Sequence, residues 1–187
     1  MAHCIKLVEP TLEYGGQVMA YRKAFLENGD SFDGCAGLED TEDYRDWLDF
    51  EARLSRKYGA DYVPSTVRLA VRTTDNKLVG IIDLRHRLTP FLRNFGGNIG
   101  YSVLPDERGK GYAGEMLGLM LEYCRELGFR KVLLTCDREN LPAARTILSG
   151  GGVLENEVED KAGLSKSGWI QRYWIVLAEN GERRNAG

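Results

Sequence analysis

The chain has 187 residues, 43% hydrophobic and 28% charged, with a net charge of −3. That length suits one domain with a sizeable core, and the mild acidity excludes a general nucleic-acid binder. The four cysteines (Cys4, Cys35, Cys124, Cys136) and two histidines (His3, His86) show no metal-ligand spacing, no apolar run approaches the roughly 18 residues of a membrane helix, and Met1-Ala2-His3-Cys4 is no signal peptide, so a metal-free, cytoplasmic protein is expected.

Residues Cys4–Val8 read as a short strand closed by Pro10. Thr11 is placed to cap a helix running to about Asn28, with Val18, Tyr21, Ala24 and Phe25 on one face. After a loop from Gly29 to Gly37, Thr41 opens a second helix through Tyr58. It carries Tyr44, Trp47, Leu48, Glu51 and Leu54, and Gly59 stops it. The period then changes. Val67, Leu69 and Val71 alternate with Arg68, Ala70 and Arg72, and the turn Asp75-Asn76-Lys77 folds Lys77–Arg85 back as a hairpin.

Gly96 to Leu104 reads as a further strand, ended by Pro105. The helix between Gly111 and Gly128 has a clear stripe: Tyr112, Ala113, Met116, Leu117, Met120, Leu121, Cys124 and Leu127. Lys131–Cys136 is a near-continuous apolar run, as in a strand buried on both faces. A short helix Pro142–Ser149 and two closing strands, Val153–Val158 and Trp169–Leu177, complete the order, and a polar tail runs from Ala178. The expected architecture is α/β, mixed α+β: one central mixed sheet flanked by helices, residues 1–177 as one domain and 178–187 as tail. The strand–helix–strand unit from Gly96 to Cys136 predicts two parallel strands.

Charge is unevenly spread. Between Glu27 and Asp61 there are eleven acids against four bases, while Arg68 to Arg93 holds six bases against Asp75 and Asp83. Solvated helix faces explain this; so does an acidic wall that draws a cationic amine.

The segment Asp106-Glu107-Arg108-Gly109-Lys110-Gly111-Tyr112-Ala113-Gly114 joins a strand to a helix N-terminus. Amides there lack helical partners and sit at the positive end of the helix dipole. Glycines let a phosphate approach the backbone, and Arg108 and Lys110 add charge, so the segment reads as an anion site, most simply for a pyrophosphate. A Walker A loop fails, because Gly111 follows Lys110 and Leu104 stands at the first glycine. Gly109, Gly111 and Gly114 do satisfy GxGxxG, with Asp137 ending the next strand, but Pro105 to Arg108 intervene where a dinucleotide fold has an immediate turn. A dinucleotide-binding oxidoreductase is thus a distant reading.

Arg108-x-x-Gly111-x-Ala113 also matches the [QR]-x-x-G-x-[GA] signature and resembles the GNAT acetyltransferase superfamily. The resemblance spans roughly Leu78 to Val158. Ile99–Pro105 resembles the strand before the signature, Thr135–Asn140 the next strand and its Asn, and Ala143–Leu148 with Gly151-Gly152-Val153 the helix and glycine turn beyond. It implies a sheet splayed between the Gly96–Leu104 and Lys131–Cys136 strands. The arm of acetyl-CoA would lie in that gap against Val103, Leu104 and Asn140, with its pyrophosphate on the backbone of Arg108, Gly109, Lys110, Gly111, Tyr112 and Ala113. The implied reaction is direct attack of a small-molecule or peptidyl amine on the thioester in a ternary complex, and the homodimer common in the superfamily is an implied assembly.

In that reaction the amine must lose a proton and the oxyanion needs a backbone N–H near Val103. The chain departs from the family pattern here. Ile147 stands where relatives carry a Tyr to protonate the thiolate, and the strand before the signature offers Asn98, Tyr101 and Ser102 in place of a carboxylate. The remaining candidates are Tyr101, Asp83 and His86. Each has a plainer reading, as an edge aromatic, a solvent-facing strand residue and a surface imidazole. The departures also leave room for an acyl-CoA-binding module without catalysis.

Overall fold

The computed structural model describes residues 4–56 and 63–177. The predicted end of the second helix at Tyr58-Gly59, His3 and the tail from Ala178 lie outside them.

Among the described residues seven strands and four α-helices follow in chain order: β1 (Ile5–Val8), α1 (Gly15–Asn28), α2 (Tyr44–Leu54), β2 (Ser65–Arg72), β3 (Leu78–Arg85), β4 (Ile99–Val103), α3 (Tyr112–Glu126), β5 (Lys131–Asp137), α4 (Leu141–Ser149), β6 (Gly152–Glu159) and β7 (Trp169–Val176). Local chemistry sets the ends. The α2 helix is capped by Asp43, whose carboxylate accepts from Arg45 N at 2.7 Å, rather than by Thr41, whose hydroxyl donates back to the Gly37 carbonyl. The hairpin turn has Asn76 at φ 60° and closes by a bond from Arg72 N to the Lys77 carbonyl. Asn140 caps α4 by accepting from Ala143 N at 3.1 Å.

The α/β class read from the order of elements stands, with helices flanking sheet. The strand pairing differs from the expected single mixed sheet. Two antiparallel sheets form, β1-β2-β3-β4 and β5-β7-β6, and no ladder joins β4 to β5. The physical reason lies at Asn98, which is only 4% exposed. Its backbone N–H donates to the Leu133 carbonyl at 2.6 Å, and its Oδ1 accepts from Leu133 N at 2.9 Å. Its Nδ2 donates to the Arg85 carbonyl at 3.0 Å, and its own carbonyl accepts from Arg85 N at 2.7 Å. One residue thus satisfies both sheets at a single point. Beside it Gly97, at φ 66°, lies where a Cβ would stand 2.6 Å from the Leu133 carbonyl oxygen, so the chains meet here only because this residue has no side chain. Beyond this seam the expected splay is complete.

Helices α1 and α2 pack on one face of the first sheet, where Val18, Tyr21, Phe25, Cys35, Trp47, Val67, Leu69 and Ile81 form a core. The other face meets α3 and the second sheet through Val79, Ile82, Leu84, Met116, Met120, Leu134 and Tyr173. Covered on both faces, β3 is buried from Leu78 to Leu84.

Candidate functional site

The loop before α3 is built from tied side chains and free amides. Glu107 is buried and serves three cations: Lys77 Nζ at 2.5 Å, Lys110 Nζ at 2.8 Å and Arg72 Nη1 at 2.9 Å. The Lys110 and Lys77 contacts hold its carboxyl down at about 2. Arg108 turns back toward α1. Its guanidinium meets Asp30 at 2.5 and 3.3 Å, donates from Nε to the Val103 carbonyl at 3.0 Å, and lies over the Phe25 ring. The Tyr112 hydroxyl accepts from Arg72 inside the core. The cationic side chains that sequence assigns to an anion are therefore paired with Asp30 and Glu107, and they fix the shape of the loop.

The amides are a different matter. From Gly109 through Gly114, among the described residues, six consecutive N–H groups have no protein acceptor; the first helical bond runs from Glu115 N to the Gly111 carbonyl. Gly109 and Gly111 hold φ of 75° and 87°, which L side chains rarely adopt, and the space before both is open. Six donors at the positive end of a 15-residue helix form a cradle for an anion, independent of any side-chain charge.

The cradle opens onto the gap between β4 and β5. In the antiparallel β3–β4 ladder Leu104 N donates to the Val79 carbonyl at 2.8 Å and the Asn98 carbonyl accepts from Arg85 N at 2.7 Å, so Ser102 and Gly100 between them hold the positions that hydrogen-bond to β3. Ile99, Tyr101 and Val103 thus turn their backbone groups toward the gap. Asn140 stands across it, exposed, at the start of α4. The Tyr101 side chain crosses the gap as well: its hydroxyl lies 3.5 Å from the Ala143 carbonyl on the first turn of α4, one turn before Thr146, whose own hydroxyl donates to the Pro142 carbonyl. Burial raises the Tyr101 pKa, so the phenol keeps its proton. Ile147, next to Thr146, is buried in the core.

Asp83 sits on the opposite face of the first sheet and is 2% exposed. It accepts from Gly100 N at 3.0 Å and pairs with Arg85 Nε at 3.1 Å. Burial raises its pKa, Arg85 countering. His86 lies past the seam, away from the gap. Its Nε2 shares a 2.8 Å hydrogen bond with Thr66 Oγ1, its ring edges against Phe129, and burial lowers its pKa. The structure therefore gathers Val103, Tyr101, Asn140 and the 109–114 amides around one gap, sets Asp83 behind the sheet and His86 outside. Among the described residues no group of His, Cys, Asp and Glu could hold a metal ion, and no helix is long and apolar enough to cross a membrane.

Sequence reasoning gave three residues no role: Asn98 at the seam, Glu107 under the loop, and Glu51. Glu51 stood on the apolar stripe of α2 between Trp47 and Leu54, and a carboxylate in such a stripe is the signal. Asn98 and Glu107 gave none, because the partners that bury them, Leu133 and Arg85 for one and Arg72 and Lys77 for the other, are distant in the chain.

Comparison with known proteins agrees with this geometry. The acetyltransferase (GNAT) domain family matches residues 37–153. An uncharacterized N-acetyltransferase, YnaD, of Bacillus subtilis (strain 168) is 29% identical over 93 residues; the match spans 48% of this chain and 55% of that protein. The microcin C7 self-immunity acetyltransferase MccE, solved with acetyl-CoA and AMP, superposes with a TM-score of 0.68 at 15% identity, covering 94% of each chain. The dodecameric spermidine N-acetyltransferase of Vibrio cholerae gives 0.68 at 14% identity, covering 97% of this chain and 98% of its own. An acetyltransferase of Salmonella typhimurium that modifies the N-terminal serine of ribosomal protein L7/L12 gives 0.67 at 15%, covering 95% and 97%.

Proposed function

From the premise that the chain belongs to the GNAT acetyltransferase family, we propose that it transfers an acetyl group from acetyl-CoA to a primary amine by direct attack in a ternary complex. The observation that carries this reading is the row of six unpaired amides, Gly109 to Gly114, opening onto the gap between β4 and β5. A pyrophosphate carries the charge and the acceptor oxygens that such a row serves. The arm of the cofactor then lies along the outward backbone of Tyr101 and Val103, with Asn140 facing it from α4. The Val103 N–H donates to the oxyanion of the tetrahedral intermediate. The Tyr101 hydroxyl, protonated and delivered to α4 beside Ile147, protonates the departing thiolate, and the proton that the attacking amine loses restores the phenol. A dinucleotide fold is not supported: both sheets are antiparallel, whereas that fold needs parallel strands about its glycine turn.

A second reading is binding of acyl-CoA without transfer. Ile147, buried in the core where relatives carry a hydroxyl, favours it. One experiment separates the two. Acetyl-CoA is titrated into the protein, and free thiol is then followed with a panel of amines. The transferase reading expects saturable binding and amine-dependent thiol release. Binding with no amine-dependent release leaves the binding module; no binding removes both.

A further inference from the structure

On the face of the first sheet opposite α3, a cavity of about 430 Å³ opens among α2, the chain entering β2, the end of β3 and the helical turn before β4. Pockets that bury a small ligand run about 300–1,000 Å³. Its walls are apolar, with Phe50 and Leu54 from α2 facing Phe91 and Leu92, and Asp83 and Arg85 supply charge. Asp83 holds Gly100 N, so the cavity abuts the strand whose next residue, Tyr101, faces the gap.

The charge count of this region is unusual. Asp83 is compensated by Arg85. Glu51 is not: it is 7% exposed, and its Oε1 is buried without a hydrogen-bond partner. It lies on the inward stripe of α2, one turn from Leu54 in the cavity wall. Burial, with the charge of Asp83 added, pushes its carboxyl up to about 9. A buried carboxyl that lacks a partner is costly to keep, and a cation beside it would stabilise the carboxylate.

Resting on the acetyltransfer reading, we propose that this cavity receives the acceptor, and that the acceptor is a primary amine with a single positive charge on an apolar body. One uncompensated carboxyl matches one ammonium; a polyamine needs several. An extended peptide needs polar partners along its length, and these walls are mostly hydrocarbon. The ammonium is drawn toward Glu51 and Asp83, its single nitrogen gives up a proton to this pair before it attacks the thioester, and the apolar body lies between the α2 side chains and Phe91.

The test uses the whole chain. Hexylamine, 2-phenylethylamine, spermidine and a short peptide with a free N-terminus are titrated calorimetrically without acetyl-CoA, then compared as acceptors. The two monoamines are expected to bind more tightly and to give at least tenfold higher kcat/KM. Glu51→Gln keeps the shape but cannot ionise, and is expected to weaken monoamine binding about tenfold, the loss of one charge-assisted contact, with acetyl-CoA affinity unchanged. Phe91→Ser, at a half-exposed wall position, is expected to weaken it severalfold with the melting temperature little changed. Preference for spermidine or the peptide overturns the assignment, as does monoamine affinity that neither variant moves. Monoamine binding without acetyl-CoA binding sinks the transferase reading and leaves the cavity assigned; acetyl-CoA binding without monoamine binding does the reverse.

Discussion

The two ends of β4 differ in how completely their backbone is satisfied. At the Asn98 end four hydrogen bonds join β3, β4 and β5, and the two sheets are stitched shut. At the Val103 end β4 pairs on one side only, and the chain beyond it runs into six unpaired amides. A closed seam and an open cradle thus lie a few residues apart on one strand. The closed end holds the sheets at a fixed separation, and the open end supplies the donors. Unpaired backbone is tolerable only where water or a ligand reaches it, so the seam also decides where a site can exist.

Changes at the open end should act on ligand, and changes at the closed end on stability. The largest effect is expected from Gly111→Val. A β-branched residue at φ 87° is strained, and moving the loop misaligns several charge-assisted donors, so acetyl-CoA affinity should fall about a hundredfold or more. Calorimetric titration measures this. Wild-type affinity in the variant would mean that the amides do not hold the cofactor.

Next, Asn98→Ala strips partners from Leu133 N and the Arg85 carbonyl in a buried setting. It should cost about 2–4 kcal/mol, read by denaturant unfolding. A smaller loss with unchanged acetyl-CoA affinity would show that the sheets hold their separation without the seam. Tyr101→Phe tests the side chain that crosses the gap. The proposed proton donation predicts a fall in kcat of about tenfold or more, with acetyl-CoA affinity within twofold of wild type. An unchanged kcat removes Tyr101 from the chemistry.

Glu107 supports the cradle through charge, and its effect should depend on pH. Its carboxyl is depressed to about 2 against an ordinary value of 4.5. The stability it contributes is therefore complete above about pH 4.5 and is lost as pH falls through about 2. Glu107→Gln should lower the melting temperature at pH 7, and the difference from wild type should shrink steadily below pH 4.5. A difference independent of pH would assign the effect to packing. The smallest effect is expected for His86→Ala. It lies beyond the seam, bonded to Thr66, so kcat should stay within twofold while stability drops by about 1 kcal/mol. A pH–rate profile that loses a limb in this variant would return His86 to the reaction.

Much of this was legible locally. Periodicity located the strands and helices within a few residues, and strand–loop–helix order with closely spaced glycines located the cradle. The cap of α2 was misplaced by two residues, at Thr41 instead of Asp43, because both are good capping residues and only the path of the chain after Leu38–Asp40 decides between them. The strand predicted from Gly96 begins at Ile99, since the residues before it wind into a helical turn against β5 and β7. The strand pairing was misjudged because side-chain bonds of Asn98 replace a ladder, and a side chain's remote partners leave no mark on neighbouring positions.

The sequence by itself determined the elements, the family signature and the unpaired amides before α3. Those are local properties: hydrophobic period, glycine at positive φ, and a helix start without a cap. Tertiary structure alone decided that Arg108 and Lys110 are matched by Asp30 and Glu107, that Tyr101 reaches α4 while His86 does not, and that Glu51 is buried against the charge of Asp83. Each of these depends on which charges and backbones lie within a few ångströms, and in most of them the partners are tens of residues apart in the chain.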